Sequence, residues 1–323
     1  MSAPGAPACR RSDVTVSVLV APAALKGVLA ATEAADALGA GLARAGVEWR
    51  RLPVADGGEG TVDALCGNEL AGYPVQDAFG RLRTARVGRR AGTVVVETAE
   101  AIPFDPQRLD VMSASSRGLG ELLARLEADE LLVGLGGTAN MDGGAGLLEA
   151  LAALPAPTTA LCDVQTTLHD APRLFGPQKG ATAEQVAELE ARLRSRRELA
   201  PYAALPGSGA AGGLGAALAS LGAKLLPGAA TILDLLGFEP RGVDLVVTGE
   251  GRVDATTAEG KAPAEVARRC VEAGVPCVVF GGVVVEPLAG VETVALSGDP
   301  ARARADLVEL GVRLGARLLD AAG

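Results

Sequence analysis

The sequence predicts an α/β protein with a parallel sheet and a second, inserted domain of mixed strands. Three observations carry this reading. Toward both ends the chain alternates short apolar, β-branched runs with Ala/Leu-rich helical stretches. Several apolar runs end in glycine-rich or acidic loops. Between the ends, two strand-like segments follow one another without the helix that a parallel crossover requires. A length of 323 residues fits about two domains.

The elements follow in order. Val14–Val20 reads as a strand ending at Ala21-Pro22, and Thr32–Ala45 as a helix with Thr32 at its N-cap. Val47–Val54 is a second strand, followed by Asp56-Gly57-Gly58-Glu59-Gly60 and a helix over Gly60–Cys66. Tyr73–Val87 and Thr93–Thr98 read as strands joined by a turn at Gly88–Gly92. A helix at Leu119–Glu127 leads to a strand at Leu131–Gly134, and a glycine-rich loop then runs into a helix near Leu147. Thr159–Val164 is strand-like, Thr182–Arg197 a charged helix, and Gly207–Gly215 a loop opening a small-residue helix to Leu221. The last third alternates again: strand Val243–Thr248, helix Pro263–Ala273, strand Val275–Phe280, strand Val291–Ser297, helix Pro300–Ala321.

Composition removes several function classes. The formal net charge is −9, which argues against a general nucleic-acid binder because phosphate backbones need a basic face. Aromatics are only 2%, so the core must rest on Leu and Val, with Ala and Gly allowing close approach. The five cysteines are scattered without CxxC spacing, which disfavours structural zinc and a disulfide framework and points to a reducing compartment. The single histidine, His169, lacks triad or metal-site neighbours and reads as a solvated residue. No apolar run is long enough to span a bilayer, and the small, polar N-terminus lacks the apolar core of a signal peptide. The expectation is a cytoplasmic protein with a disordered leader over residues 1–11.

The lysines are informative. There are four, and three touch glycine: Lys26-Gly27, Lys179-Gly180 and Gly260-Lys261. A compact cation beside bare backbone suits a phosphate. Glycines at strand ends let amides approach an anion, acidic residues there can hold Mg²⁺ through one or two carboxylates, and lysines neutralise a transferring phosphate. The ensemble reads as phosphoryl transfer. Gly136-Gly137-Thr138 is not a Walker A loop, and no full GxGxxG follows the first strand, which disfavours a dinucleotide oxidoreductase.

Eight ordered segments then carry a resemblance. They are Ala21-Pro22…Lys26-Gly27, Val54–Thr61 (VADGGEGT), Ser115…Gly118–Leu122, and Gly134–Ala139 with Asp142-Gly143-Gly144. The others are Cys162-Asp163-Val164, Phe175–Ala181 (FGPQKGA), Pro206–Gly215 (PGSGAAGGLG), and Thr248–Asp254 with Thr257 and Gly260–Pro263. Together they resemble the bacterial glycerate kinase family, which phosphorylates glycerate with ATP. The resemblance implies a Rossmann- or flavodoxin-like domain formed from residues 12–71 and 240–323. Residues 72–239 would form the inserted α/β domain, with the active site in the cleft between the two.

It also implies roles. Lys26, Asp163 and Lys261 would be catalytic, with Asp142 or Asp163 as metal ligand or general base. Asp56, Gly57, Gly58, Glu59, Lys179 and Asp254 would bind substrate. Gly136, Gly137, Thr138, Gly207, Gly209, Gly212 and Gly213 would cradle ATP, while the Ser208 hydroxyl is incidental. Asp142 and Glu250 would hold Mg²⁺, with Glu250 and Asp254 sharing one tight loop. The expected partners are ATP and a small hydroxy acid, with a homodimer allowed and neither nucleic acid nor membrane. Either hydroxyl of glycerate is open, with 2-phosphoglycerate preferred over 3-phosphoglycerate.

The chain departs from the family pattern at the cleft. Ala23 and Ala24 stand where the family has Asp and Ser, Asn140-Met141 replaces Thr-Asn, Gln165–Leu168 replaces Asn-Pro-Leu, and Thr256 replaces Gln. A glycerate kinase, a kinase for another small hydroxy acid and a non-catalytic ligand-binding homologue all remain open on these residues.

Overall fold

The structure is a computed structural model that describes residues 16–322. The expected leader and the first residues of the first strand lie outside them. The chain runs β1 Ser17–Val20, α1 Ala31–Arg44, β2 Glu48–Arg51, α2 Thr61–Cys66, β3 Leu70–Gln76, β4 Leu82–Arg90 and β5 Thr93–Glu97. It continues as α3 Thr98–Ala101, α4 Arg117–Leu123, β6 Glu130–Leu135, α5 Ala145–Ala150, β7 Thr158–Cys162, α6 Ala171–Phe175, α7 Ala183–Ser195 and α8 Ala210–Ser220. It ends as β8 Lys224–Pro227, α9 Gly228–Leu235, β9 Leu245–Val253, α10 Ala262–Ala273, β10 Cys277–Val284, β11 Glu292–Ala295 and α11 Ala303–Ala322. Among the described helices none is long and apolar enough to cross a membrane.

The strands form two sheets. The first has five strands in the order β11-β10-β9-β1-β2, all parallel. Read from β2, this is the flavodoxin-like order, and its switch point falls between β1 and β9. On one side lie α1 and α11, whose glycines do what the low aromatic content demands: a Cβ on Gly311 would strike the Leu38 carbonyl. On the other side Leu19, Val246, Val266 and Leu233 form a second core. The second sheet has six strands in the order β3-β4-β5-β6-β7-β8; β5 to β8 run parallel, and β3 and β4 are antiparallel. Its largest core gathers Val94, Val96, Leu119, Leu131, Val133 and Leu214.

Several sequence-based boundaries need correction. The segment read as one strand over Tyr73–Val87 is the hairpin β3–β4, whose turn is fixed by Asp77 accepting the Phe79 and Arg81 amides. β9 and β10 run on through their glycines and pair as far as Val253↔Val284. The glycines do not end these strands: a Cβ at Gly249 would lie 2.5 Å from the Phe280 ring, so the bare residue lets the neighbouring strand pack. Glu250 therefore stands on a strand and not in a tight loop. Helix α2, read within the 12–71 segment, packs on β4 and β5 of the six-stranded sheet through Val62 and Leu65. Strand β8 and helices α6 and α9 had no sequence signal strong enough to mark them.

Candidate active site

The carboxyl ends of the two sheets meet. The loop after β2 carries Asp56-Gly57-Gly58 into the ends of β6, β7 and β8. A Cβ on Gly57 would sit 2.5 Å from the Leu161 carbonyl, one on Gly134 would strike the Gly57 carbonyl, and one on Gly228 the Asp56 carbonyl. Bare backbone is required wherever these two sheets touch.

Between them opens a cleft of about 320 Å³ whose lining includes Lys26, Asp163, Lys179 and Lys261. The three lysines that neighbour glycine thus converge, while Lys224 lies on the exposed edge strand β8. The floor also holds Gly136, Gly137, Thr138 and Gly212, and Phe104, Val164 and Phe175 form an apolar rim. A second hollow of about 500 Å³ shares Lys26 and is lined by Ala24, Glu59, Gly60, Asp63 and Arg86. Lys26 is exposed where both hollows reach it.

Asp163 follows β7 directly and leans on Gly136 at the end of β6, where a Cβ would lie 2.5 Å from its Oδ2. Gly136 serves here to make room for the carboxylate. Burial and the neighbouring Asp56 charge push the Asp163 carboxyl up to about 7, against the pull of Lys26 and Lys179. Lys179 is 7% exposed. It donates to the Asn140 carbonyl at 2.8 Å and to the Thr138 hydroxyl at 3.5 Å. Burial drives its ammonium down to about 8, opposed by Asp163 and Asp142. A carboxylate poised to exchange a proton and a cation able to lose one therefore face each other near neutral pH.

Glu250, on β9 at the switch point, accepts the Thr257 hydroxyl at 2.8 Å and lies 3.8 Å from the Lys261 ammonium. Burial raises the pKa of its carboxyl, and Lys261 and Thr257 oppose that rise. Asp56 spends Oδ1 on the Gly58 amide at 3.1 Å, and among the described residues its other oxygen has no partner. Glu59 is exposed on the rim of the larger hollow.

Other sequence candidates are placed elsewhere. Asp142 was expected as a metal ligand, but its carboxylate accepts from the Ser116 amide and hydroxyl, the Asn140 side chain and the Gly144 and Gly146 amides. Five donors fill its lone pairs, so it clamps the loop before α5. Asp254 turns onto its own turn, taking Arg252 Nε at 2.9 Å and the Thr256 amide at 3.0 Å. Lys261 nevertheless acts on both carboxylates, pairing with Glu250, and Thr257 stands between them, accepting the Asp254 amide at 3.1 Å. Gly207, Gly209 and Gly213 pack rather than cradle. A Cβ at Gly207 would lie 2.5 Å from Cys162 Sγ, and the Gly209 amide is spent on the Thr166 carbonyl at 2.9 Å. The Gly213 amide goes to the Gly209 carbonyl. Ser208 is fully buried, bonding the Ala203 carbonyl and the Leu168 amide.

The model of the glycerate kinase family matches residues 18–157 and 152–298, most of the chain. The chain belongs to the glycerate kinase family. Among its relatives, the glycerate kinase of Bacillus subtilis strain 168 is 33% identical, with 83% of this chain and 85% of that protein aligned. The glycerate 2-kinase of Escherichia coli K12 is also 33% identical, over 78% of this chain and 81% of its own. The crystal structure of an inferred glycerate kinase 2 from Salmonella typhimurium LT2 superposes with a TM-score of 0.78 at 28% identity, covering 95% of this chain and 99% of that one. The glycerate kinase motifs in this chain largely map to the facing sheet ends. The sequence reading did not single out Phe104, Glu97 or Thr98 as site residues; each lies beside a recognised loop only in space.

Proposed function

We propose that this chain transfers the terminal phosphoryl group of ATP to the 2-hydroxyl of glycerate. The observation that carries this is the convergence of Lys26, Lys179 and Lys261 on one cleft with Asp163 at its floor. Phosphoryl transfer needs positioning and charge neutralisation more than covalent chemistry. Lys26, reachable from both hollows, neutralises the group in flight, and Lys179 and Lys261 balance the remaining phosphate charge or the acceptor carboxylate. Asp163, raised toward neutrality, takes the hydroxyl proton as the oxygen attacks phosphorus. The glycine backbone at 136–138 lies against the phosphates.

Magnesium suits the same place. Among the described residues no group of three or more metal-ligating side chains converges. Mg²⁺ needs fewer, because phosphate oxygens and waters complete its shell. Asp56, with one oxygen free, is the carboxylate that would hold it, and the bound ion would supply charge neutralisation at the phosphates. Glu250 is committed to Thr257 and Lys261.

A second acceptor has one observation in its favour. The hollow lined by Ala24 measures about 500 Å³, more than a three-carbon acid fills. Coupled ADP release with Mg-ATP across a panel of short hydroxy acids decides. Release with glycerate, and NMR of the product showing the 2-phosphate, supports the proposal. Release only with a larger acid transfers the reading to that acceptor. No release with any acid, together with ligand-induced thermal stabilisation, would make the chain a binding homologue.

A further inference from the structure

Two adjacent residues at the end of β5 touch both loops of the cleft. Glu97 and Thr98 are 1% and 0% exposed. Glu97 reaches back to the loop that follows β2: its Oε1 accepts the Val62 amide at 2.6 Å, and the Gly60 amide also bonds it. Thr98 reaches the other way. Its hydroxyl donates to the Gly136 carbonyl at 3.0 Å and accepts the Gly136 amide at 3.2 Å.

The two loops so held are in contact, since a Cβ on Gly136 would lie 2.8 Å from the Gly58 Cα. Thr61 ties the first loop to itself by donating to the Gly58 carbonyl at 2.8 Å. Beyond that, Glu97 is the side chain that anchors the start of α2, whose N-cap Gly60 has no side chain of its own and a φ of +95°. A negative group is favoured beside these otherwise unpaired amides. β5 is rigid behind the pair, fully buried over Val94–Val96 and in register with β6 from Thr93↔Glu130 to Glu97↔Gly134.

We propose that Glu97 and Thr98 are positioning residues that set the separation between the Asp56–Gly60 loop and the Gly136–Thr138 loop, and thereby the placement of the acceptor against Asp163. This rests on the kinase reading given above. Neither residue lines the cleft, so neither touches substrate; each acts through the loop it holds. The titratable groups facing Glu97 are Asp63 and Cys66 from α2 and Glu100 from α3, and both acids are paired with Arg86 from β4.

The test compares Glu97→Ala, Glu97→Gln and Thr98→Val in the full chain. Glu97→Gln keeps an oxygen that accepts the Val62 amide; Glu97→Ala does not. The expected result is a rise of tenfold or more in KM for glycerate in Glu97→Ala, KM for ATP unchanged within threefold, and recovery to within threefold of wild type in Glu97→Gln. Thr98→Val is expected to lower kcat tenfold or more. Should Glu97→Ala fail to fold, Glu97→Asp replaces it, since it keeps the charge but withdraws it from the amide; an intermediate rise in KM is expected. Unchanged kinetics in folded Glu97→Ala and Thr98→Val, or a Glu97→Gln variant as impaired as Glu97→Ala, would overturn the proposal.

Amide hydrogen exchange over residues 57–62 provides a readout that needs no substrate. Exchange at least tenfold faster in Glu97→Ala, with Glu97→Gln protected like wild type, supports the anchoring even if the wild-type chain phosphorylates no glycerate, which would be a failure of the kinase reading alone. Equal protection in all three overturns the anchoring itself.

Discussion

Lys261 stands 3.8 Å from Glu250, so one of the three cleft lysines reaches the substrate side already paired with a carboxylate. Lys26 is different: it is exposed and has no ion-pair partner among the described residues. Both lysines are expected to matter for turnover, while only one should matter for stability. Lys26→Ala and Lys261→Ala should each lose about 2–4 kcal/mol of transition-state stabilisation in kcat/KM. Thermal melts should separate them. Lys261→Ala leaves Glu250 without its counter-ion and should cost about 1 kcal/mol, reduced by solvent screening of the partly exposed lysine. Lys26→Ala should melt as wild type. Wild-type turnover in both variants would remove these lysines from the mechanism.

The pH profile of kcat/KM should be bell-shaped. Asp163, with its carboxyl near 7, must be ionised to take a proton, so the rate rises as pH climbs through that value. Lys179, near 8, must be charged to neutralise phosphate, so the rate falls as pH passes it. The maximum therefore lies between the two. Asp163→Asn should abolish the acidic limb and lower kcat by roughly 10²–10⁴-fold. An acidic limb that persists unchanged in that variant would assign the base to another residue.

Glu97 links the same electrostatics to folding. Burial pushes its carboxyl up to about 7 in the folded chain, above the ordinary carboxylate value. A raised carboxyl favours the protonated folded state, so its contribution is present at low pH and lost as pH rises through 7. Glu97→Gln has no charge to bury. Its melting temperature relative to wild type should therefore increase between pH 5 and pH 8. A difference that is flat with pH, or that shrinks, would mean the buried carboxylate is better solvated than its surroundings suggest.

The first loop offers a gain of function. Ala23 is held by its amide on the Gly249 carbonyl at 2.9 Å and packs half-buried against the Leu19–Val246 core, while Ala24, also half-buried, lines the larger hollow. A Cβ built on Gly60, which lines the same hollow, would meet nothing nearer than the Ala24 Cβ at 4.0 Å. Ala23→Asp with Ala24→Ser restores a carboxylate and a hydroxyl at the end of β1. Turnover on glycerate should rise with the fold unchanged by circular dichroism. Normal ATP binding without any gain would show that the alanines do not limit this chain. Within the Gln165–Leu168 loop Leu168 is 1% exposed and faces the core, so exposed Gln165 is the residue left to test there.

How much of this was legible follows from what sequence can encode. The α/β class was readable because strand and helix periods alternate along the chain. The lysines were readable because a lysine beside glycine is unusual in a chain that otherwise uses arginine. Asp142 and Asp163 were not separable: both lie in loops that follow buried strands, and only the fold shows five donors closing on one and an open cleft before the other. The Gly207–Gly213 segment has the composition of an anion cradle, yet its amides turn inward to Thr166 and Gly209. Glu97 and Thr98 left no local mark, since their partners lie 35 and 38 positions away.

The two ends of the chain share a sheet, and this constrains the order of folding. The Thr248 hydroxyl bonds the Ala21 carbonyl across 227 positions, and β1 lies hydrogen-bonded between β2 and β9. On the ribosome β1 emerges before the whole six-stranded sheet but cannot acquire its second neighbour until β9 has been made. The six-stranded sheet uses a continuous stretch and can close while synthesis is still under way. The five-stranded sheet must form last, across the largest loop in the molecule, and its early strands wait with open edges. Completion of the cleft, which needs the ends of both sheets, thus waits for β9 and the Lys261 segment that follows it.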